Sequence, residues 1–328
     1  MDPYSDGMPG RRVIGVDMGG SKLLAGAVDS DLSVHHRAHR NLNRFNQSYL
    51  LDVVVDAVDE VRAGAGGDVD AIGFGIPALI DQRSGTAVVA VNLTLHDIRF
   101  GDVMTERLGL SVFVDNDANC AALAEHRAGA ARGCSEAVVL TIGSGIGGGL
   151  ILRGEPYRGS VGAGAELGHT VIDMNGPPCQ GNCPNRGCVE SLASGTALAR
   201  EALRIGRERP ESGLGKALAE GRELVGPLVT ELAHDGDQAA IDTIELIGTR
   251  LGVAIASFVN IFNPEVVVIG GGVIGAGELL LNAARAEMAR RALPPSRDVV
   301  EVVPAAFGVE AGMIGAAALA FDGLAQRA

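Results

Sequence analysis

Two segments of this chain share one layout, in which an apolar run, a glycine-rich turn and a second apolar run follow one another. In the first segment, VIGV (13–16) and LLAGAV (23–28) flank the turn DMGGSK (17–22). The second segment, residues 137–152, has the same order around the turn GSGIGGG. Apolar runs on both sides of such glycines predict a strand, a tight turn and a returning strand. The repeat predicts a duplicated α/β unit whose two turns face a shared cleft.

Other patterns along the chain predict further strands and helices. Residues 49–62 place apolar side chains at three- and four-residue spacing, which predicts an amphipathic helix. Residues 71–76 and 111–114 are predicted strands, and a helix with Asp117 or Asn119 near its start follows the second one. Three more elements are a long helix near 237–260, a buried strand at 265–272 and a C-terminal helix with a closely packing face of small residues (Gly312, Gly315, Ala316 and Ala318).

Composition and charge exclude several classes of protein. The formal net charge of −13 argues against nucleic acid as the main partner, because binding its phosphates needs a basic face. The apolar residues form short runs and no unbroken stretch of about 18, so we expect no membrane span. The first ten residues lack the cationic and apolar regions of a signal peptide. We therefore expect a cytoplasmic protein.

The glycine turns have the groups that bind phosphate and magnesium. Asp17 ends a predicted strand, and the N–H groups of Gly19 and Gly20 follow it, so this turn can orient hydrated Mg²⁺ and phosphates. A third cluster, IGGG at 269–272, follows a buried strand and would allow close approach of a flat ring. Neither hairpin turn has the P-loop pattern, and glycine is also common in turns that bind nothing.

Three of the five cysteines are close together and follow a histidine, in the order His169, Cys179, Cys183 and Cys188. Clustered cysteines in a reducing compartment hold metal more often than disulfides. A Cys₃His set suits tetrahedral zinc, and four protein ligands complete its coordination, so the zinc would be structural. The alternative is three reduced thiols and an unrelated histidine.

Three carboxylates near these motifs are candidates for sugar binding and catalysis. Glu166 and Glu190 flank the cysteine cluster, so a zinc loop would fix both as acceptors for sugar hydroxyls. They could equally be solvated surface acids. Asp117 could be the general base that phosphoryl transfer to a hydroxyl requires, or the N-cap of the helix that follows.

In this order, the segments resemble the ROK family of sugar kinases and regulators, from Val13 to about Leu319. The resemblance implies an actin-like, ribonuclease-H-like α/β fold of two domains with a cleft between them. One domain would comprise residues 11–117 and the C-terminal helix 310–326, and the other residues 118–309 with the zinc loop 169–190. The matching motifs are DMGGSK (17–22), GFGIP (73–77), NL (92–93), VDNDANCAALAE (114–125), TIGSGIGGG (141–149), GAGAELGH (162–169), GCVE (187–190) and NPEVVVIGGG (263–272).

The resemblance also implies ATP-dependent phosphorylation of a hexose, with glucose the best match, and Asp117 as the catalytic base. Mg²⁺ would be oriented by Asp17, and His169 would be shared between the structural zinc and a sugar hydroxyl. The sugar-binding residues would be Asn92, Asn116, Asp117, Glu166, His169 and Glu190. The ATP phosphates would contact Gly19, Gly20, Ser21, Lys22, Gly143, Ser144 and Gly145, and the adenosine Gly271 and Gly272.

Some features leave other functions open or differ from the family pattern. The spacing from Cys179 to Cys183 is two residues longer than the family's usual Cys-x-Cys, so the loop must bulge to keep the same ligands. The substrate could be another hexose or an N-acetylhexosamine, and the donor polyphosphate. The family's repressors carry a helix-turn-helix domain before the first glycine turn, and only sixteen residues precede Asp17, so we expect an enzyme. We expect a homodimer or homotetramer.

Overall fold

The computed structural model of the chain describes residues 10–42, 46–66, 68–81, 86–90 and 95–327. In its first part, strands surround the first glycine turn and lead to the segment that contains Asp117. The elements of this part are β1 (Arg12–Met18), β2 (Lys22–Asp29), β3 (Val34–Asn41), α1 (Gln47–Gly64), β4 (Ala71–Ile76), β5 (Ala78–Asp81), β6 (Thr86–Ala90), β7 (His96–Ile98), α2 (Phe100–Leu108), β8 (Ser111–Asn116) and α3 (Asp117–Ala128).

The second part begins with the second glycine hairpin and ends with a long helix. Short 3₁₀ turns lie at Leu167–His169, Gly272–Ala276 and Gly308–Glu310. The remaining elements are β9 (Ala137–Ile142), β10 (Ile146–Leu152), β11 (Glu155–Pro156), α4 (Val189–Ala193), α5 (Gly195–Glu208), α6 (Gly213–Ala219), α7 (Gly226–His234), α8 (Gln238–Phe262), β12 (Val266–Gly270), α9 (Glu278–Arg291), α10 (Ser296–Val299), β13 (Glu301–Pro304) and α11 (Ala311–Arg327).

Two five-stranded sheets of the same plan organise these elements. The first has the strand order β3-β2-β1-β4-β8, and the second has the order β11-β10-β9-β12-β13. In each sheet the first three strands are antiparallel neighbours, and the last two join in parallel. A smaller sheet, β5-β6-β7, follows β4. The structure confirms both predicted hairpins, β1–β2 and β9–β10, and the repeat of one α/β unit.

The periodic helix predicted at residues 49–62 is α1, which packs against β2 and β3 of the first sheet. Its buried side includes Leu51, Val54 and Val58, which recur every three or four residues and so lie on one face. The helix begins after Asn46, whose side-chain oxygen accepts a hydrogen bond from the Tyr49 N–H at 2.9 Å. Amphipathic spacing and an N-cap together account for this element.

The C-terminal helix α11 returns to the first sheet and packs against β1, β4 and α3. Its predicted small face makes this approach possible. A Cβ atom at Gly315 would collide with the carbonyl oxygen of Cys120 in α3, and one at Gly73 in β4 would collide with that of Ala316. The chain therefore crosses between its two sheets twice, once through α3 and once through the segment that joins β13 to α11.

Two helices are long and apolar enough to span a membrane by length and composition: α8 and the segment Gly308–Arg327. Both are packed inside the protein. Ile247, Leu251 and Ile255 of α8 are fully buried in the core around the second sheet, and Met313 and Ala317 of α11 are fully buried beside the first. Burial in the two cores explains the apolar composition of these helices without a membrane.

Candidate active site

The first glycine turn places Asp17 at the end of β1. The turn closes on itself through a hydrogen bond of 2.8 Å from the Gly19 N–H to the Lys22 carbonyl oxygen, and Gly20 and Ser21 are exposed. Burial, together with the nearby charge of Asp117, raises the pKa of Asp17 to about 7. Two neighbouring carboxylates that resist ionisation together favour a bound cation, as predicted for Mg²⁺ at this turn.

Asp117 is the first residue of α3, and the residue before it caps the helix. The Asn116 side-chain oxygen accepts hydrogen bonds from the N–H groups of Ala118 and Asn119, at 2.9 and 3.3 Å. Asn116 has an extended backbone, which lets its side chain reach back to these donors, whereas Asp117 is already helical. The alternative that Asp117 is the N-cap is therefore wrong. The carboxylate of Asp117 accepts a hydrogen bond of 2.9 Å from the Ala118 N–H.

A line of four carboxylates connects the first glycine turn to the second. Burial raises the pKa of Asp117 to about 6, hydrogen bonds from its own and the next backbone N–H oppose this shift, and the charge of Glu166 adds to it. Burial also raises the pKa of Glu166, which His169 lowers and Glu190 raises. Because each carboxylate influences the next, Asp17, Asp117, Glu166 and Glu190 share one electrostatic environment.

At the far end of this line, Glu190 contacts the second glycine turn directly. Its Oε2 accepts a hydrogen bond of 2.8 Å from the Ile146 N–H, and its Oε1 lies 3.7 Å from the Cys179 Sγ. A Cβ atom at Gly145 would lie closer than van der Waals contact to the same Oε2, so glycine at this position leaves the space that the Glu190 carboxylate occupies. The alternative that Glu190 is a solvated surface acid is therefore wrong, and its role in sugar binding stays a prediction.

The predicted metal ligands His169, Cys179, Cys183 and Cys188 converge, and their ligand atoms all lie within 4.8 Å of one another. The Cys183 and Cys188 Sγ atoms are 3.9 Å apart, and the Cys179 Sγ lies 3.5 Å from the His169 Nδ1. Tetrahedral zinc with ordinary bond lengths needs ligand atoms roughly 3.5–3.8 Å apart. The donor set and its spacing therefore fit a structural zinc ion.

The loop that carries these ligands accommodates its two additional residues in a closed turn. The Cys179 N–H donates to the Asn185 carbonyl oxygen at 2.9 Å, and Pro178 pairs with Arg186 in an antiparallel bridge. The backbone is therefore paired at both ends of the segment 179–185, and the additional residues form a bulge between these ends. The four ligand atoms still lie within 4.8 Å of one another. This confirms the bulge predicted from the longer spacing.

The imidazole of His169 lies between the cysteine cluster and the carboxylates. Its Nδ1 faces the thiols, and its Nε2 is 3.9 Å from the Glu166 Oε2. A one-turn 3₁₀ helix, Leu167–His169, connects the two residues and fixes this arrangement. One histidine can therefore contribute to the metal site through one nitrogen and present the other to a ligand beside Glu166.

Three neighbours of the second turn were missed by the sequence reasoning. The Ser144 carbonyl oxygen accepts hydrogen bonds from the Thr196 Oγ1 at 2.7 Å and from the Gln180 Nε2 at 3.1 Å. The Gly143 carbonyl oxygen accepts one of 2.8 Å from the Gly195 N–H at the start of α5. No motif in the sequence connects these residues to the turn, because they lie some 36–52 positions away along the chain.

An ion pair beside Asp117 was also missed. Asp115, only 2 % exposed, accepts a hydrogen bond of 2.5 Å from the Arg158 guanidinium, which belongs to the loop before Glu166. The same carboxylate accepts from the Asn116 N–H and the Asn119 side-chain amide, at 2.8 and 3.0 Å. This pair connects the end of β8 to the second half of the protein next to the predicted base.

The third glycine cluster lies where β12 ends, and a cavity follows it. Gly271 and Gly272 lead into the 3₁₀ turn Gly272–Ala276. A cavity of about 570 Å³ begins beyond this turn, lined by Gly275, Glu278 and Asn282 among others. The remaining predicted sugar ligand, Asn92, lies outside the described residues.

Similarity to known proteins extends over nearly the whole chain. The sequence profile of the ROK family matches residues 13–322. This chain belongs to the ROK family. A glucokinase of Thermotoga maritima is 36 % identical to this ROK protein over 315 residues, which are 95 % of this chain and 98 % of the relative. A xylose repressor of Bacillus spizizenii is 28 % identical over 94 % of this chain and 77 % of its own length.

The fold of this ROK protein also matches solved structures of the family. The crystal structure of a ROK family glucokinase from Streptomyces griseus, in complex with glucose and AMPPNP, superimposes with a TM-score of 0.85. That protein is 33 % identical in sequence, and the match covers 95 % of this chain and 99 % of the other. The predicted actin-like α/β fold is thereby confirmed.

Proposed function

We propose that this ROK protein is a sugar kinase that transfers the γ-phosphoryl group of ATP to the 6-hydroxyl of a hexose, with glucose as the preferred substrate. The observation that carries the proposal is the position of Asp117. This half-buried carboxylate at the start of α3 is coupled electrostatically to Asp17 of the first glycine turn and to Glu166, and Glu190, which is coupled to Glu166, accepts a hydrogen bond from the second turn. Similarity to glucokinases over nearly the full chain supports the same reaction.

Asp117 would be the general base. With a pKa of about 6, its carboxylate is mostly ionised at pH 7 and can accept the proton of the 6-hydroxyl. As that proton leaves, the hydroxyl oxygen forms a bond to the γ-phosphorus, and the bond from the γ-phosphorus to the bridging oxygen of ADP breaks. Asp17 would orient the Mg²⁺ that accompanies ATP and neutralises charge on the phosphates.

The backbone would hold the nucleotide, in keeping with the acidic character of the chain. The first turn, Gly19 to Lys22, and the second, Gly143 to Gly145, would direct N–H groups at the phosphates. The adenosine would lie near Gly271 and Gly272, and the cavity that follows them has room for it.

The cysteine cluster would hold zinc through the Nδ1 atom of His169 and three thiolates, which complete the coordination and leave the metal a structural role. The Nε2 of His169, beside Glu166, would then hydrogen-bond a sugar hydroxyl. The other sugar ligands would be Asn92, Asn116, Asp117, Glu166 and Glu190. Because Asn116 uses its side-chain oxygen for the helix cap, it would contact the sugar through its amide nitrogen.

A panel of purified sugars and phosphoryl donors tests this function. Glucose, mannose, fructose and N-acetylhexosamines are each offered with ATP or polyphosphate, and ADP release or sugar phosphate is measured. We expect the highest kcat/KM with glucose and ATP. A higher kcat/KM for an N-acetylhexosamine would mean that this sugar, and not glucose, is the substrate. A higher kcat/KM with polyphosphate would mean that polyphosphate, and not ATP, is the donor. Glucose binding without turnover on any donor would favour a sugar-responsive regulator, the class of the similar xylose repressor.

We also propose that the protein is cytoplasmic, where an ATP-dependent enzyme finds its donor. We propose a homodimer or homotetramer, because symmetric homo-oligomers are the most common soluble assemblies. Light scattering of the purified protein tests the assembly, and a monomer at micromolar concentration would contradict it.

A further inference from the structure

Gln180 connects the zinc loop to the second glycine turn. It lies between Cys179 and Cys183, in the stretch where the loop bulges, and its side chain reaches out of the loop. The Nε2 atom lies 3.1 Å from the Ser144 carbonyl oxygen and 3.2 Å from the Ser194 Oγ. A carboxamide nitrogen carries two N–H donors, so both hydrogen bonds can form at once. We propose that Gln180 is a positioning residue that orients this turn for the phosphates of the nucleotide.

The peptide group between Ser144 and Gly145 is held in a fixed direction. Its carbonyl oxygen accepts from both Gln180 and Thr196, so two donors on one side hold its direction. In a trans peptide the C=O and N–H bonds point in opposite directions. The Gly145 N–H is therefore directed away from Gln180 and Thr196.

The preceding peptide group is held in the same way. The Gly143 carbonyl oxygen accepts from the Gly195 N–H at 2.8 Å, so the Ser144 N–H points away from the start of α5. Within the described part of the chain, the N–H groups of Ser144 and Gly145 donate no hydrogen bond. Two adjacent N–H groups with fixed directions and no protein acceptor are suited to bind phosphate oxygens.

Gln180 adds a support that α5 does not provide. Thr196 and Gly195 both belong to the start of α5, whereas Gln180 belongs to the zinc loop. The segment after that loop also carries Glu190, which accepts from the Ile146 N–H on the other side of the turn. The metal-binding region therefore holds the turn at two points, and zinc can affect nucleotide binding without touching the nucleotide. This inference rests on the proposed function, since it assumes that the turn binds ATP.

The test compares Gln180→Ala with Asn182→Ala, a control at an exposed position of the same loop. Binding of AMPPNP with Mg²⁺ and binding of glucose are measured by calorimetry, and zinc is measured by metal analysis. Because Gln180→Ala removes two neutral hydrogen bonds, we expect its AMPPNP affinity to fall roughly tenfold, with zinc content and glucose affinity unchanged. Gln180→Glu keeps the shape of the side chain but cannot donate, so it should lose at least as much. The control should match the wild type.

Hydrogen–deuterium exchange provides a second readout that a general loss of structure would not reproduce. Gln180→Ala should speed exchange in residues 141–149 and leave residues 12–22, around the first turn, unchanged. An unchanged AMPPNP affinity in Gln180→Ala would overturn the proposal, and so would a parallel loss of zinc and glucose binding. If the wild-type protein binds no AMPPNP, the proposed function fails, and this inference fails with it. If the wild type binds AMPPNP and Gln180→Ala binds it equally well, only this inference fails.

Discussion

The two glycine-rich turns have the same sequence layout but are held in different ways. The first turn is held by backbone hydrogen bonds, one within the hairpin from the Gly19 N–H to the Lys22 carbonyl oxygen and one from the Leu42 N–H, just after β3, to the Ser21 carbonyl oxygen. The second turn also has a backbone hydrogen bond of its own, from the Gly143 N–H to the Gly145 carbonyl oxygen, but it is held in addition by side chains from other elements: Gln180 of the zinc loop, Glu190 of α4 and Thr196 of α5. The repeated sequence layout therefore produces the same strand order in both sheets, but the hydrogen bonds that hold the two turns are different.

The two turns also obtain their carboxylates from different places. The first turn has its own, Asp17, which the sequence places at the end of β1. The second turn has none within the hairpin and obtains Glu190 from a segment 44 residues away from Ile146. Since the turns depend on different neighbours, single substitutions should affect one turn and leave the other intact.

The largest effect is expected for Asp117→Asn, which changes neither turn. Because Asn116 and not Asp117 caps α3, this change keeps the helix start and removes the proton acceptor. We expect the turnover number to fall by roughly 10²–10⁴-fold, with AMPPNP affinity close to wild type and a melting temperature at neutral pH no lower than wild type, because the raised pKa of Asp117 makes its ionised form destabilising in the unliganded protein. Steady-state kinetics measure the loss, and Asp56→Asn, at an exposed position of α1, is the control. Wild-type turnover would remove Asp117 from the mechanism and make Glu166 the next candidate.

Cys188→Ser should affect the second turn selectively. Cys188 is fully buried beside the other predicted ligands, and its loss should lower zinc content well below one ion per chain. Because the zinc loop holds the second turn, we expect kcat/KM for ATP to fall by roughly tenfold or more and the melting temperature to drop. Cys134→Ser, a half-buried cysteine outside the cluster, is the control. Full zinc content in Cys188→Ser would contradict the ligand assignment.

Asp17→Asn should affect the first turn and change how stability depends on pH. The folded protein holds the Asp17 proton more tightly than the unfolded chain, since the pKa is raised from 3.8 to about 7. The native state therefore loses stability as pH rises from about 4 to 7. Without ligands, Asp17→Asn should melt higher than wild type at pH 8 and equally at pH 4, while its kcat/KM for ATP falls. The control is Asp68→Asn at an exposed position. Equal melting temperatures of Asp17→Asn and wild type at pH 8 would show that ionisation of Asp17 does not lower the stability of the folded protein.

Arg158→Ala should weaken the connection between the halves that carry the two turns. The substitution leaves the buried carboxylate of Asp115 without its cation. Because the arginine side of the pair is partly exposed, we expect the free energy of unfolding to fall by only about 1–3 kcal/mol. Urea unfolding measures this loss, with Arg132→Ala at an exposed position as the control. We expect only a severalfold decrease in kcat/KM for the sugar. A stability equal to that of the control would mean that the ion pair contributes nothing.

Features that depend on local patterns could be predicted from the amino-acid sequence. Alternating apolar runs and glycines specified both hairpins, three- and four-residue spacing specified α1, and the spacing of His169, Cys179, Cys183 and Cys188 specified the potential metal site. These signals are readable because the interacting residues are near one another in the chain, so backbone geometry alone brings them together. The order of the ROK motifs then gave the family.

The distant side chains that support the site could be identified only once the chain had been folded. Gln180 and Ser144 are 36 residues apart, and Arg158 and Asp115 are 43 apart, and neither pair has a spacing that any regular element would impose. Even the cap of α3 depended on the backbone of Asn116, because either Asn116 or Asp117 has a side chain that can cap. Long-range hydrogen bonds form where packing of whole helices and sheets places donors beside acceptors, and no local propensity encodes that placement.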